Sequence, residues 1–137
     1  MMATLVDSNV LIDVATGGSE WADWSAAMIA RVSEQGRVVI NPIIYAEVSL
    51  AFDRIEHLDE AIPVEYFARE DLPWEAAFLA AQTFLEYRRA GGARRAPLPD
   101  FYIGAHAAIA GYTLLTRDAR RYRTYFPKLQ IISPTGF

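Results

Sequence analysis

Short runs of consecutive apolar residues alternate along the chain with longer stretches in which apolar residues recur every three or four positions, a pattern that predicts an α/β fold. Thr4-Leu5-Val6 reads as a strand that stops at Asp7, with Asn9 predicted to cap a helix carrying Val10, Leu11, Ile12 and Val14. Gly17-Gly18 closes it. Trp21 to about Gln35 predicts a second helix, with Trp21, Trp24, Met28 and Val32 on one stripe and Gly36 as its stop. Val38-Val39-Ile40 is a second apolar strand. Asn41-Pro42 then reads as an N-cap and first helical residue, opening a helix through Glu47 to about Asp53.

His57 to Ala61 predicts a short helix, whereas residues 62 to 73, bracketed by Pro63 and Pro73, carry no clear pattern. Trp74 to Ala90 is the plainest helix: Trp74, Ala77, Phe78, Ala81, Phe84, Leu85 and Arg88 form one stripe that leaves Glu75, Gln82 and Glu86 outside it. After Gly91-Gly92 and a loop with Arg94 and Arg95, Leu98-Pro99-Asp100 leads into an Ala/Gly-rich helix to about Ala110. Thr113-Leu114-Leu115 is a strand, Asp118 is predicted to open a last short helix, and Gln130-Ile131-Ile132 closes the fold. Short apolar strands between helices imply a mainly parallel central sheet of about four to five strands. No repeat or linker divides the chain, so residues 1–137 form one expected domain.

Charge sharpens this picture. The chain carries 13 Lys+Arg against 17 Asp+Glu, but residues 1 to 87 balance at −11 and residues 88 to 137 at +7. Only Asp100 and Asp118 are acidic in that basic final part, which singles them out. With no cysteine there is no disulfide, thiolate metal site or cysteine nucleophile, and a reducing cytoplasm suits the chain. The first basic residue is Arg31, which argues against a signal or transit peptide. The uncharged run from Phe101 to Thr116 is too short for a membrane span and contains His106, so a buried helix and strand are expected there.

Ligand sites in parallel sheets lie beyond the carboxyl ends of the strands. Asp7 and Asp118 follow two strands closely, Glu47 lies one to two turns into the helix after another, and Asp100 stands at the mouth of the Ala-rich helix. Singly, each has an ordinary reading: Asp7 as a turn residue, Glu47 as solvated surface, Asp100 and Asp118 as caps. Together they could converge. Unneutralised carboxylates about 4 Å apart repel by about 4 kcal/mol at an effective dielectric near 20, so convergence calls for a hard divalent cation. All-oxygen ligation favours one or two Mg²⁺ or Mn²⁺ ions over Zn²⁺.

These residues resemble a family. Leu5-Val6-Asp7-Ser8-Asn9-Val10-Leu11-Ile12-Asp13, Glu47 after the second strand, Leu98-Pro99-Asp100 with Ile103 to Ala107, and Leu115-Thr116-Arg117-Asp118 together resemble PIN-domain ribonucleases, most closely the VapC-type toxins of bacterial or archaeal toxin–antitoxin pairs. The resemblance implies a metal-dependent endoribonuclease. Asp7 and Asp100 would be core ligands of Mg²⁺ or Mn²⁺, Asp118 a direct or water-mediated ligand, and Glu47 a further ligand or the group that orients the attacking water. Ser8, Asn9 and Thr116 would brace the carboxylates, although Ser8 and Asn9 could equally be capping residues. Asp13 reads as structural. The resemblance also implies a homodimer and a VapB-type antitoxin, in a heterotetramer or larger assembly, without membrane association.

Arg117, Arg120, Arg121 and Arg123, beside Tyr122 and Tyr125, form a candidate RNA-binding strip, with Arg94 and Arg95 as further candidates. The structural alternative is a solvated helix with Tyr122 and Phe126 turned to the core. His106 reads as a core residue, His57 as surface, and Trp21, Trp24 and Met28 as core or interface. A phosphoacceptor receiver lacks its lysine here, since the only lysine is Lys128. Asn9 breaks an Asp-x-Asp phosphatase pattern, and no dinucleotide, P-loop or nucleophile-elbow motif is present. Two rivals to a toxin stay open: a PIN nuclease of RNA maturation or structured DNA, and a PIN-like module that binds RNA or protein without cutting.

Overall fold

In the computed structural model, which describes residues 2–92 and 98–134, β1 (Met2–Val6) is the axis of a five-stranded sheet. It pairs in parallel with β2 (Gly36–Ile40) on one side and β4 (Thr113–Leu115) on the other. A two-residue strand, β3 (Ala68–Arg69), lies outside β2, and β5 (Ile131–Ile132) lies outside β4, giving the all-parallel order β3-β2-β1-β4-β5. Successive strand residues point to opposite faces. Leu5 and Val6, Val39 and Ile40, and Leu114 and Leu115 are all fully buried, so both faces of the sheet are covered. Gly36 is required where β2 meets β1, because a Cβ there would sit 1.6 Å from the Met2 carbonyl oxygen.

The covering helices are α1 (Ser8–Thr16), α2 (Ala22–Gln35), α3 (Pro42–Ser49), α4 (Ile55–Ala61), α5 (Trp74–Arg89), α6 (Leu98–Ala110) and α7 (Arg120–Tyr125). Asn41 caps α3 as expected, its side-chain oxygen accepting from Ile44 N at 2.9 Å, with Pro42 behind it. Trp24 and Met28 of α2 pack partly buried against the core, and Trp21 meets Trp24 edge-on at 6.3 Å. Among the described residues no helix is long and apolar enough to cross a membrane.

Three expectations need correction, and two features were not expected. Asn9 does not cap α1: Asp7, two residues nearer the strand and with extended backbone, does, its Oδ1 accepting from Ser8 N at 2.8 Å. The helix carrying Glu47 ends at Ser49 rather than near Asp53. Ser49 Oγ takes the Tyr45 carbonyl at 2.6 Å, and Leu50, Ala51 and Phe52 bond three residues back, tightening the chain into turns. Asp118 does not open the last helix, which starts at Arg120 with no side-chain cap. The strand β3 falls in the segment that carried no pattern, since two residues are too few to show alternation.

The second unexpected feature is the face that α5 buries. Its larger apolar residues Trp74, Phe78 and Leu85 face solvent, while Ala76, Ala80 and Thr83 are buried. Small residues there let α5 lie close against α6, and the seam is filled by rings: Phe101 packs on Phe84, Tyr87 and Tyr125 with centroids 5.3–6.4 Å apart.

Asp13 has the structural role read for it. Its Oδ2 accepts from Ser25 Oγ of α2 at 2.9 Å and lies 2.6 Å from Arg117 Nε, tying α1 to α2 and to the loop after β4. Replacing a buried charge in such a pair leaves its partner uncompensated. Asp13→Ala is expected to cost about 2–3 kcal/mol, seen as a lower urea midpoint at unchanged slope.

Candidate acidic site at the sheet switch point

The order of the strands reverses at β1: the chain runs outward to β2 and β3 on one side, then returns to β4 and β5 on the other. The crevice beyond the carboxyl ends of β1 and β4 is therefore a topological switch point, and Asp7 and Thr116 stand at its two lips. Asp7 is buried, with its Oδ2 accepting from Thr116 Oγ1 at 2.8 Å and from Tyr122 Oη at 3.0 Å. Thr116 Oγ1 in turn accepts from Asp118 N at 3.2 Å and Asn9 Nδ2 at 3.3 Å, while Asn9 Oδ1 accepts from Arg117 N at 3.2 Å. Ser8 Oγ donates to Glu47 Oε1 at 2.8 Å, linking α1 to α3. Ser8, Asn9 and Thr116 thus form a hydrogen-bonded frame around the carboxylates of Asp7 and Glu47 and the backbone amide of Asp118.

Asp100 lies in the first turn of α6, and its Oδ2 accepts from Arg121 Nη1 of α7 at 2.6 Å. Asp118 is exposed beside it. Arg117 contacts Asp13, whereas Arg121 and exposed Arg120 line an open groove of about 430 Å³ with Asp118, Thr124 and Tyr125. Arg94 and Arg95 lie outside the described residues.

The acids feel one another. Burial pushes the pKa of Asp7 up to about 6; the Thr116 and Tyr122 hydroxyls oppose this, and the charges of Asp100 and Glu47 add to it. Burial also raises Glu47, against the Ser8 bond and with help from the Asp100 charge. Asp100 is raised by burial in spite of Arg121, with Asp118 adding to the rise. Even so, among the described residues no three acidic or histidine side chains stand close enough to enclose an ion as they are oriented. Three of the carboxylates are turned to partners within the chain, Asp7 to Thr116 and Tyr122, Glu47 to Ser8 and Asp100 to Arg121. The donor set itself fits a hard divalent cation: it is all oxygen and its negative charges are coupled, with Arg121 paired, among the described residues, to Asp100 alone.

Tyr122 is the residue whose part in the site was missed. Its ring is buried, so it offers no stacking surface, and Phe126 one turn on is buried with it. The spacing to Phe126 identifies the core face but says nothing of where the hydroxyl ends, which is on Asp7. His106 stays outside the site. Buried in α6, it has Nδ1 3.0 Å from Asn41 Nδ2 and Nε2 3.6 Å from Glu70, and burial lowers its pKa.

A family model described as the PIN domain matches residues 4–127. Comparison with curated proteins finds no match. Among solved structures, the chain is similar to VapBC2 of Rickettsia felis bound to a promoter DNA fragment (TM-score 0.76, 15% identity, covering 97% of this chain and 99% of that one). It is similar also to VapBC-1 of nontypeable Haemophilus influenzae (TM-score 0.73, 18% identity, 96% and 98% covered). A third is VapC20 of Mycobacterium tuberculosis, a sarcin-ricin loop cleaving toxin (TM-score 0.65, 15% identity, 88% and 94% covered). At these identities the likeness is one of fold.

The raised pKa of Asp7 has a consequence for stability. Between its ordinary 3.8 and about 6 the folded state holds a proton that the unfolded state has lost, so this group's contribution falls as pH rises through that window. Above it the ionised carboxylate costs about 3 kcal/mol. Asp7→Asn keeps the capping oxygen and removes the charge. It is expected to melt higher than the parent at pH 7 without added metal, with the difference closing below about pH 4 in pH-resolved thermal melts.

Proposed function

The chain belongs to the PIN domain family, and on that premise we propose that it is a VapC-type toxin, an endoribonuclease that hydrolyses RNA phosphodiester bonds with one or two Mg²⁺ or Mn²⁺ ions. The observation that carries this reading is the coupling of Asp7, Glu47, Asp100 and Asp118 in a crevice where burial leaves Asp7 hard to ionise. Arg121 pairs with Asp100 at the mouth of this crevice, and a groove lined by Arg120 and Arg121 adjoins it at Asp118. Negative charge to hold a cation beside positive charge to hold a phosphate backbone is what phosphoryl transfer needs.

Asp7 and Asp100 would be the core ligands, with Asp118 and Glu47 completing the set. When bound, the ion supplies charge to the phosphoryl oxygens and acidifies the attacking water. Glu47, half-buried and with a raised pKa, is suited to orient that water and take its proton. Ser8, Asn9 and Thr116 hold the carboxylates in place, and Tyr122 helps to keep Asp7 anionic through its hydrogen bond. Arg120 and Arg121 are the described candidates for phosphate contact, and Arg94 and Arg95, which precede α6 in sequence, are further candidates.

The partners on this reading are RNA, a VapB-type antitoxin and a second copy of the chain, in a heterotetramer or larger assembly. The relatives from Rickettsia felis and Haemophilus influenzae are VapBC pairs, and the exposed Trp74, Phe78 and Leu85 of α5 offer an apolar surface suited to protein contact.

The experiment is cleavage of a cellular RNA pool by purified protein with Mg²⁺, Mn²⁺ or EDTA. Discrete products that need the ion and vanish in Asp7→Asn and Asp100→Asn support the reading; a folded protein that binds RNA without cutting it under any condition replaces it with a binding module. Glu47→Gln is expected to lower the cleavage rate by roughly 10²- to 10⁴-fold. Removing the Tyr122 hydroxyl takes away a bond that lowers the Asp7 pKa. Tyr122→Phe should therefore move the acidic limb of the pH–rate profile to higher pH and weaken apparent metal affinity by about tenfold.

A further inference from the structure

Of the four acids, Asp100 is the one with an ion pair among the described residues; Asp7 and Glu47 accept from hydroxyls and a backbone amide. Its partner, Arg121, is 39% exposed at the side chain, and Asp100 is 31% exposed, so the pair sits at the mouth of the crevice. Arg121 also borders the groove of Asp118, Arg120, Thr124 and Tyr125. One guanidinium thus reaches both an acidic crevice and the cationic groove that continues from it.

We propose that Arg121 is the resident counter-ion of Asp100, that a divalent cation must displace it, and that the displaced guanidinium turns into the groove to hold a backbone phosphate of the substrate strand. This rests on the metal-dependent reading above. A guanidinium at 2.6 Å occupies one carboxylate oxygen with a charge-assisted bond. Mg²⁺ needs a carboxylate oxygen at about 2.0–2.1 Å, and two cations on one oxygen repel. Arg121 is exposed enough to leave, and its planar fork matches phosphate as well as carboxylate. The same contact accounts for the lack of a closed three-acid cluster among the described residues, since Asp100 is turned toward α7. By linkage, metal and strand then favour each other: each releases what the other needs.

The test is Mn²⁺ titration of the full chain, read from the EPR signal of the free ion, for the parent, Arg121→Gln, Arg120→Gln and Asp100→Asn. Arg121→Gln is expected to bind Mn²⁺ about fivefold more tightly, with Arg120→Gln near the parent and Asp100→Asn weakened. With Ca²⁺ in place of the supporting ion, Arg121→Gln should also bind a single-stranded oligonucleotide more weakly, the slope of log affinity against log salt falling by about 1. Unchanged or weaker Mn²⁺ binding in Arg121→Gln overturns the displacement, and so does equal tightening in Arg120→Gln, which would report general loss of charge. If the parent binds Mn²⁺ and Asp100→Asn does not, that overturning leaves the metal-dependent reading standing. If the folded parent binds no Mn²⁺, both fall together.

Discussion

A carboxylate buried at the end of the central strand is the constraint around which the structure is arranged. Asp7 terminates β1, caps α1 through Ser8 N, and receives the hydroxyls of Thr116 and Tyr122. A charge so placed is unfavourable unless surrounding groups satisfy it, and the groups that do so come from α1, the loop after β4 and α7. The same contacts that make the burial tolerable bring together the start and the far end of the chain. Fold and site are held by one set of bonds.

Much of this was legible in the sequence because it rests on local chemistry. Apolar runs ending at Asp7 and just before Thr116 mark the central strands, and Asn41-Pro42 marks a helix start that needs only its own residues to form. The parallel layout follows from that alternation. What failed to appear depended on contacts distant in sequence. The stripe of Trp74, Phe78 and Leu85 is a sound helical pattern, but periodicity does not say which side faces inward, and a helix packed closely on another can bury its small residues instead. β3 is visible only through its pairing with β2, and Tyr122 only through the place where its hydroxyl ends.

The family match and the low identity to solved relatives are compatible for a physical reason. Between 15% and 18% of positions are shared with the relatives from Rickettsia felis and Haemophilus influenzae, yet the folds superpose over nearly the full lengths of the chains. A parallel sheet asks for apolar strands of any composition, and cores tolerate exchange among hydrophobic residues of similar volume. Charge at the sheet edge asks for more: the buried Asp7 and half-buried Glu47 are each met by a hydroxyl from another part of the chain.

The distance along the chain between Asp7 and its hydroxyl partners has a consequence for synthesis. Asp7 and Glu47 are translated well before their site is complete, since Thr116 and Tyr122 lie 109 and 115 residues beyond Asp7. The central strand likewise waits for β4 to complete its second edge. A nascent chain carries the first two acids while the crevice that would give them their chemistry does not yet exist. On the ribonuclease reading proposed above, for a chain made on a machine built largely of RNA, this topology is a delay: the crevice cannot assemble until translation has passed Tyr122, so the first acids emerge without a formed site.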